Sequence, residues 1–416
     1  MYIYHNIEND TVLNTEQMYA RQRIIEQLKV RFSTYGYREI STAIFEKYNL
    51  YATMSGTVNH REMIKTIDNT GQVLVLRPDV TIPLTKELAA SKQTIMEDLR
   101  YFYVLDVFRQ TNATKEYKQR TQAGIEYFGN PSVEADAEII ALAAHTLQDL
   151  NVGTFTIELG HADFFKQIAI EANLSNDMLQ ECKRLIQGKN IPEMERLLDK
   201  VAINDDMKQV IGALPFLYGS LTDVFAKTDV LPLSKSLRQT LADIEAIYNV
   251  LESYGVANHI VIDLSLINHM DYYSDIIFQG FIERIGQTVL MGGRYDSLAS
   301  HFSAEFPAIG FAFDVDLLLA GSRLRQELVE QPLDFVLQYD KAVERRAITL
   351  AQKLRNKRFR VITYVKNKND KHIPQSNATI TLTENLITLM ADEATTTYPN
   401  ESVLLEKLLQ LRRNRH

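Results

Sequence analysis

Along this chain the apolar period changes twice, and that double change restricts the fold more than any other feature. Up to about residue 160, short strand-like runs at 73–76, 101–108 and 155–159 stand among helical patterns. The first of those helices carries Ile24, Ile25, Leu28, Phe32 and Tyr35 at helical spacing, with Gly36 where a left-handed C-cap is expected. A second carries Ile139, Ala143, Leu147 and Leu150 on one face. From about 163 to 255 the pattern is helical throughout: Ser175 stands at a cap, Pro192 in a first turn, and Leu237, Leu241, Ile244, Ile247 and Leu251 mark a long helix ending at Gly255. Strands then return at 259–264, in a hairpin of 272–282 and 287–291 turning through Glu283-Arg284-Ile285-Gly286, and at 307–311 before an apolar helix to about 324. Strands joined by hairpins, without regular βαβ alternation, predict an α+β fold: an antiparallel sheet flanked by helices and interrupted by a helical insertion over 163–255.

Gln331-Pro332 reads as a linker. Beyond it a strand (335–339), a helix (343–354), a strand (360–365), two weak strands (379–382 and 386–390) and a last helix (402–411) predict a small α/β unit. The expected division is therefore 1–330 and 333–416, which suits 416 residues at roughly 100–200 per domain.

The lone Cys182 excludes an internal disulfide framework and a cysteine metal cage. Met1-Tyr2-Ile3-Tyr4-His5-Asn6 lacks the basic and apolar regions of a signal peptide, and no apolar run approaches the roughly 18 residues of a membrane span. A cytoplasmic protein without a membrane association is expected. The net charge of −8 conceals an asymmetry, since residues 333–416 hold 15 Lys+Arg against 9 Asp+Glu. An acidic body argues against general nucleic-acid binding, which draws its affinity from phosphate neutralisation. The basic tail leaves a narrower RNA-binding reading open; the structural alternative, favoured here, makes Arg345, Arg346, Arg355, Arg358 and Arg360 a solvated helix face and its rim.

Four segments carry candidate chemistry. In Leu76-Arg77-Pro78-Asp79-Val80-Thr81, a strand would turn Asp79 and Thr81 to one side as a receptor for an ammonium group. On spacing alone a capped helix start before Pro83 and Leu84 is the better reading. In the second, Phe108-Arg109 is followed by a loop and Gln122-Ala123-Gly124-Ile125-Glu126-Tyr127-Phe128-Gly129. Gln122, Gly124 and Glu126 share a strand face, Gly124 leaving an open floor between amide and carboxylate, and Arg109 on the neighbouring strand suits a ligand carboxylate. An ordinary Arg–Glu pair on a half-exposed sheet is the alternative. The third is Met270-Asp271-Tyr272-Tyr273, where a phenol could orient a polar ligand, although buried tyrosines more often serve packing. The fourth is Met291-Gly292-Gly293-Arg294-Tyr295-Asp296 with Ala308-Ile309-Gly310-Phe311-Ala312, whose glycines permit close backbone approach. No His-x-x-x-His pair or carboxylate cluster suggests a metal, and His161 receives no metal role.

In order and spacing the four segments together resemble histidyl-tRNA synthetase and its non-synthetase relatives on the class II aminoacyl-tRNA synthetase fold. Gly36-Tyr37-Arg38-Glu39-Ile40 resembles motif 1, with Ala43 where the family has proline; residues 108–129 resemble motif 2 and 307–318 motif 3. Asp271-Tyr272-Tyr273 and Gly292-Gly293-Arg294-Tyr295-Asp296 resemble the histidine-specific signatures, and the likeness covers nearly the whole chain. It implies dimerisation through motif 1, and histidine bound by Asp79, Thr81, Arg109, Gln122, Glu126, Tyr272 and Tyr273. The C-terminal unit resembles an anticodon-binding domain, truncated because 367–377 is too short for the helix and strand that should follow.

The departures from the family pattern fall on catalysis. The resemblance places the catalytic arginine at Asn268 and the ATP-gripping arginine of motif 3 at Leu317; Thr111 replaces a glutamate and Glu116 a basic residue in motif 2. Adenylate formation puts charge on phosphates, and losing one such donor typically costs about 10²–10³ in rate. The expectation is a chain with no catalytic residues and no cofactor that keeps its histidine receptor. Glu158-Leu159-Gly160-His161 resembles the regulatory branch of the family. That branch implies a regulatory subunit of ATP phosphoribosyltransferase, partnering a short-form catalytic subunit in a hetero-oligomer with L-histidine as feedback effector. The alternatives are a working histidyl-tRNA synthetase and a non-catalytic tRNA-binding paralogue.

Overall fold

The computed structural model describes residues 15–52, 54, 59–91, 98–110, 119–267, 272–322, 333–366, 374, 376–391 and 394–413, with side chains to 410. The chain forms two compact units, Met1–Glu327 and Leu328–His416.

In the first unit the N-terminal half supplies α1 (Thr15–Thr34), β1 (Arg38–Glu39), β2 (Phe45–Lys47), α2 (Asn49–Ala52), β3 (Lys65–Ile67), β4 (Val73–Leu76), α3 (Thr81–Ala90), β5 (Leu99–Phe108), β6 (Gln119–Phe128), α4 (Val133–Asp149) and β7 (Phe155–His161). The insertion follows as α5 (Ala162–Glu171), α6 (Asn176–Gln187), α7 (Ile191–Lys200), α8 (Asp205–Ala213), β8 (Tyr218–Gly219), α9 (Leu221–Asp229) and α10 (Lys235–Ser253). Then come β9 (Ile260–Asp263), β10 (Ile276–Ile282), β11 (Thr288–Arg294), β12 (Ala308–Asp314) and α11 (Val315–Gly321).

Nine strands make one sheet in the order β1-β5-β6-β12-β11-β10-β7-β9-β8. The sheet is largely antiparallel, but β1–β5 and β7–β9 pair in parallel, as they must where the intervening chain returns from the far side. Serine and asparagine caps start the insertion's helices: Ser175, Asn190, Asn204, Ser220 and Ser234 each accept a first-turn amide. The two-residue β8 is the one strand among these helices, and the strand expected from 272 begins only at Ile276.

The sheet has two unlike faces. On one, Phe32 of α1 packs against Phe102 and Phe311, while Ile24, Ile25 and Leu28 are buried along the same stripe. The register places Tyr101, Glu126, Gly310, Gly293, Ile277 and Gly160 in one cross-strand row on the other face. Tyr103, Gly124, Ala312, Met291, Gln279 and Glu158 form the next row. The glycines in these rows let larger neighbours lie close to the sheet, Glu126 over Gly310 and Tyr273 over Gly293 among them. Separately, β2, β4 and β3 form a three-stranded sheet that delivers the chain into α3.

The second unit holds β13 (Leu333–Tyr339), α12 (Glu344–Asn356), β14 (Val361–Val365), β15 (Ser376–Leu382), β16 (Ile387–Ala391), β17 (Ala394–Tyr398) and α13 (Glu401–Arg413). Its sheet runs β14-β13-β15-β16-β17. Phe335, Leu337, Ile380 and Leu382 pack with Leu350, Leu354, Leu404 and Leu408 in a core of its own. The arginines singled out in the sequence largely brace this unit: Arg346 pairs with Glu401 at 2.8 Å, Arg360 lies 3.7 Å from Asp334, and Arg355 donates to the Val361 carbonyl at 2.9 Å. Most of 367–377 lies outside the described residues.

Candidate functional site

Asp79 and Thr81 reach the site from a helix start rather than a strand. Asp79 Oδ1 accepts the Ile82 amide at 3.0 Å, so its carboxylate caps α3, and Thr81 is the first helical residue. Arg77 fixes the approach. Its buried guanidinium donates to the carbonyls of Thr42 (2.7 Å) and Asp106 (2.9 Å), and Arg109 Nε donates to the Pro78 carbonyl at 2.9 Å.

From the sheet, Glu126 rises opposite Gly310, where a Cβ would overlap the carboxylate. Its Oε1 accepts from Thr81 Oγ1 at 2.6 Å and its Oε2 from the Tyr295 hydroxyl. Tyr273 lies on Gly293, another position where a Cβ would collide with its neighbour. Tyr272 stacks against Tyr273 at 4.7 Å and meets Tyr295 edge-on at 5.9 Å. Asp79, Thr81, Arg109, Gln122, Glu126, Tyr272 and Tyr273 thus converge on one cleft of about 210 Å³.

The open floor expected over Gly124 is filled. The Tyr103 ring occupies the space a side chain there would need, so this glycine admits a tyrosine rather than a ligand. Tyr103 and Tyr295 are cleft residues that the sequence reading left out, although Tyr295 stands inside a segment it quoted. The signal for Tyr295 was the arginine and aspartate that flank it. Arg294 is buried, bonded to Asp136 of α4 at 2.9 and 2.5 Å and to the Asn130 carbonyl at 3.1 Å, while Asp296 accepts the Ala308 amide at 2.8 Å. That bracing aims Tyr295 at Glu126.

Burial dominates the electrostatics. It raises Glu126 to about 8, against the lowering by the Thr81 and Tyr295 hydrogen bonds, and Asp79 adds to the rise. Asp79 rises to about 6 through burial, opposed by the Ile82 amide and Arg109. Two buried carboxyls that resist ionising form a receptor for a cationic or hydrogen-bond-donating ligand, which would restore their charge. Arg109, beside Asp79, has guanidinium donors beyond its Nε that suit an anionic group. At the far rim Arg120 lies 3.4 Å from Asp314. Leu317, in the first turn of α11, donates its amide to Asp314 Oδ1 at 3.0 Å. Thr111, Glu116, Asn268, Met270 and Asp271 lie outside the described residues. Among the described residues no group of His, Cys, Asp and Glu is arranged to hold a metal.

This sheet and cleft define a class. Residues 11–318 match the family described as histidyl-tRNA synthetase. A solved histidyl-tRNA synthetase from Nostoc has the same fold with a TM-score of 0.75 at 18% identity, covering 97% of this chain and 100% of that one. An "ATP phosphoribosyltransferase regulatory subunit/histidyl-tRNA synthetase" from Bacillus halodurans superposes with a TM-score of 0.77 at 24% identity over 89% of this chain and 95% of that one. Sequence narrows the class. An ATP phosphoribosyltransferase regulatory subunit of Oceanobacillus iheyensis is 39% identical over 99% of this chain and 100% of its own length. One from Ruminiclostridium cellulolyticum is 31% identical over 85% and 84%. The chain belongs to the family of ATP phosphoribosyltransferase regulatory subunits.

Proposed function

We propose that this chain is the regulatory subunit of ATP phosphoribosyltransferase in histidine biosynthesis, required by a short-form catalytic subunit for activity and for feedback inhibition by L-histidine. Family membership supports the role. The observation that carries the effector is the cleft itself, lined by the buried acids Asp79 and Glu126, by Arg109 close enough to act on Asp79, and by Tyr272 and Tyr273. Histidine presents an ammonium, a carboxylate and an imidazole, and each finds a complementary group there.

The same reading makes the chain non-catalytic. Leucine at 317 offers no cation to a nucleotide phosphate, and the resemblance puts asparagine at 268 where the catalytic arginine belongs. The likeness to the Nostoc enzyme keeps a synthetase as the second reading, and the two separate cleanly. Histidine-dependent ATP–pyrophosphate exchange should stay at background for a regulatory subunit; exchange above it would restore the synthetase. A dimer through the motif 1 segment is part of the proposal, supported by Ile44 and Phe45, 51% and 56% exposed there. So is a cytoplasmic location; among the described residues no helix is long and apolar enough to cross a membrane. Binding of tRNA is not expected, because Arg346, Arg355 and Arg360 engage the second unit's own elements.

The deciding experiment mixes the chain with a short catalytic subunit. A stable hetero-oligomer should form, transferase activity should rise, and histidine should inhibit it. Glu126→Ala should keep the activation and lose the inhibition. Subunits that elute separately, with the catalytic chain equally active alone, would end this reading.

A further inference from the structure

The tyrosine wall of the cleft is not carried by the sheet. Residues 272–275 precede β10 and are held from two directions. On the sheet side, Ser274 donates its amide to the Arg294 carbonyl at 2.9 Å, the Asp296 amide donates to Ser274 Oγ at 3.1 Å, and Ser297 Oγ donates to the Tyr272 carbonyl at 3.2 Å. On the other side the grip comes from the start of the helical insertion. The Ala162 amide donates to the Asp275 carbonyl at 2.7 Å, and Lys166 Nζ of α5 donates to the Tyr273 carbonyl at 2.6 Å. His161, which caps α5 through Nδ1, places Nε2 2.8 Å from Asp275 Oδ1, with Asp243 of α10 at 3.8 Å. The His161–Asp275 contact is a second tie of this segment to α5, beside the Lys166 bond that reaches the Tyr273 carbonyl itself.

Lys166 is unusual among these contacts. Its side chain is 45% exposed and pairs with Asp163 at 3.3 Å, yet it hydrogen-bonds the backbone of a residue whose ring lines the cleft. A surface lysine is not needed to complete a core. The Tyr273 peptide sets where its ring lies on Gly293, and Tyr272 next to it meets Tyr295, which bonds Glu126. The chain of contact therefore runs from α5 through the Tyr273 carbonyl to the carboxyl at the centre of the site.

We infer that Lys166 is a positioning residue that ties the tyrosine wall of the cleft to the helical insertion, so that occupancy of the cleft and the placement of α5 are energetically coupled. Coupling of this kind is reciprocal: what the ligand does to α5, a partner that grips the insertion does to the ligand. The ligand used to read it rests on the function proposed above; the tie itself does not.

The test uses the full chain and two measurements, calorimetric titration with L-histidine and hydrogen exchange of the segments 162–171 and 272–279. Lys166→Met keeps the stem and removes the donor. It should weaken histidine binding about five- to tenfold, as the loss of a charge-assisted hydrogen bond implies. It should also speed exchange of 272–279 in the empty protein, and erase the slowing that histidine produces in 162–171. Its melting midpoint should fall by only about a few degrees with cooperative unfolding retained, which separates positioning from a folding defect. Lys166→Arg, which retains a cationic donor, should bind within about twofold of wild type, as should Lys235→Met, an exposed insertion lysine on α10. Lys166→Met with wild-type affinity and unchanged exchange in 272–279 would overturn the inference. If the wild-type chain binds no histidine, the proposed ligand is wrong, and exchange of 272–279 in the empty Lys166→Met protein decides the tie alone.

Discussion

Glu126 and Asp79 sit in the cleft with folded-state values near 8 and 6, above their ordinary 4.5 and 3.8. Each holds its proton more tightly folded than unfolded. The stability this gives is whole below about pH 4 and is lost as pH climbs through 6 and then 8. The empty protein should therefore be less stable at pH 9 than at pH 6, by a few kcal/mol at about 1.4 kcal/mol per unit. Glu126→Gln keeps the shape and removes the titration, so its denaturation midpoint should vary less over that range. An identical pH slope in the variant would show that Glu126 is not the source. At this same scale the family resemblance named seven residues that the fold brings to one cleft, whereas each segment's own chemistry was a weak signal with a plainer structural reading. The segment reading misjudged Gly124 because the occupant, Tyr103, comes from the neighbouring strand, and no pattern within one segment reports what a cross-strand partner fills. Lys166 was invisible for the same reason, standing 107 positions from Tyr273.

Among elements, the floor of the cleft depends on β12 and β11 bringing glycines to Glu126 and Tyr273. Gly310→Ala would drive a methyl into the Glu126 carboxylate and the Ile125 carbonyl, neither of which can leave without breaking the site. Such overpacking typically costs about 1–3 kcal/mol, and histidine binding should vanish before the fold does; a titration unchanged from wild type would contradict this. The Arg294–Asp136 pair joins β11 to α4 with both side chains buried. Arg294→Met leaves an unpaired buried carboxylate and should destabilise the chain by about 3–5 kcal/mol, measured by denaturant unfolding. Hairpins and helices were legible because their periods and caps are local: Ser175, Gly255 and Gly286 each stand at the boundary their chemistry dictates. β17 was missed, being a short run of threonines with no apolar alternation. A cap at Asp79 or Thr81 was readable from spacing; the structure puts the cap bond on Asp79 and turns the Thr81 hydroxyl to Glu126, which only the setting of α3 against β6 decides.

For the whole molecule, the exposed Ile44 and Phe45 give the proposed dimer a sharp test. The purified chain should be a dimer by light scattering at micromolar concentration, and Phe45→Glu should yield a folded monomer; a wild-type monomer would remove motif 1 from the interface. The paired carboxyls of the cleft also matter to a cell. If histidine is the ligand, its cationic groups are received best by ionised acids, and binding should release the proton that Glu126, near 8, holds at neutrality. Under the function proposed above, feedback through this chain would answer to acidity as well as to the product. Under that function, more histidine would be needed for the same inhibition as acidity rises, and the product would stand at a higher level before the brake engages.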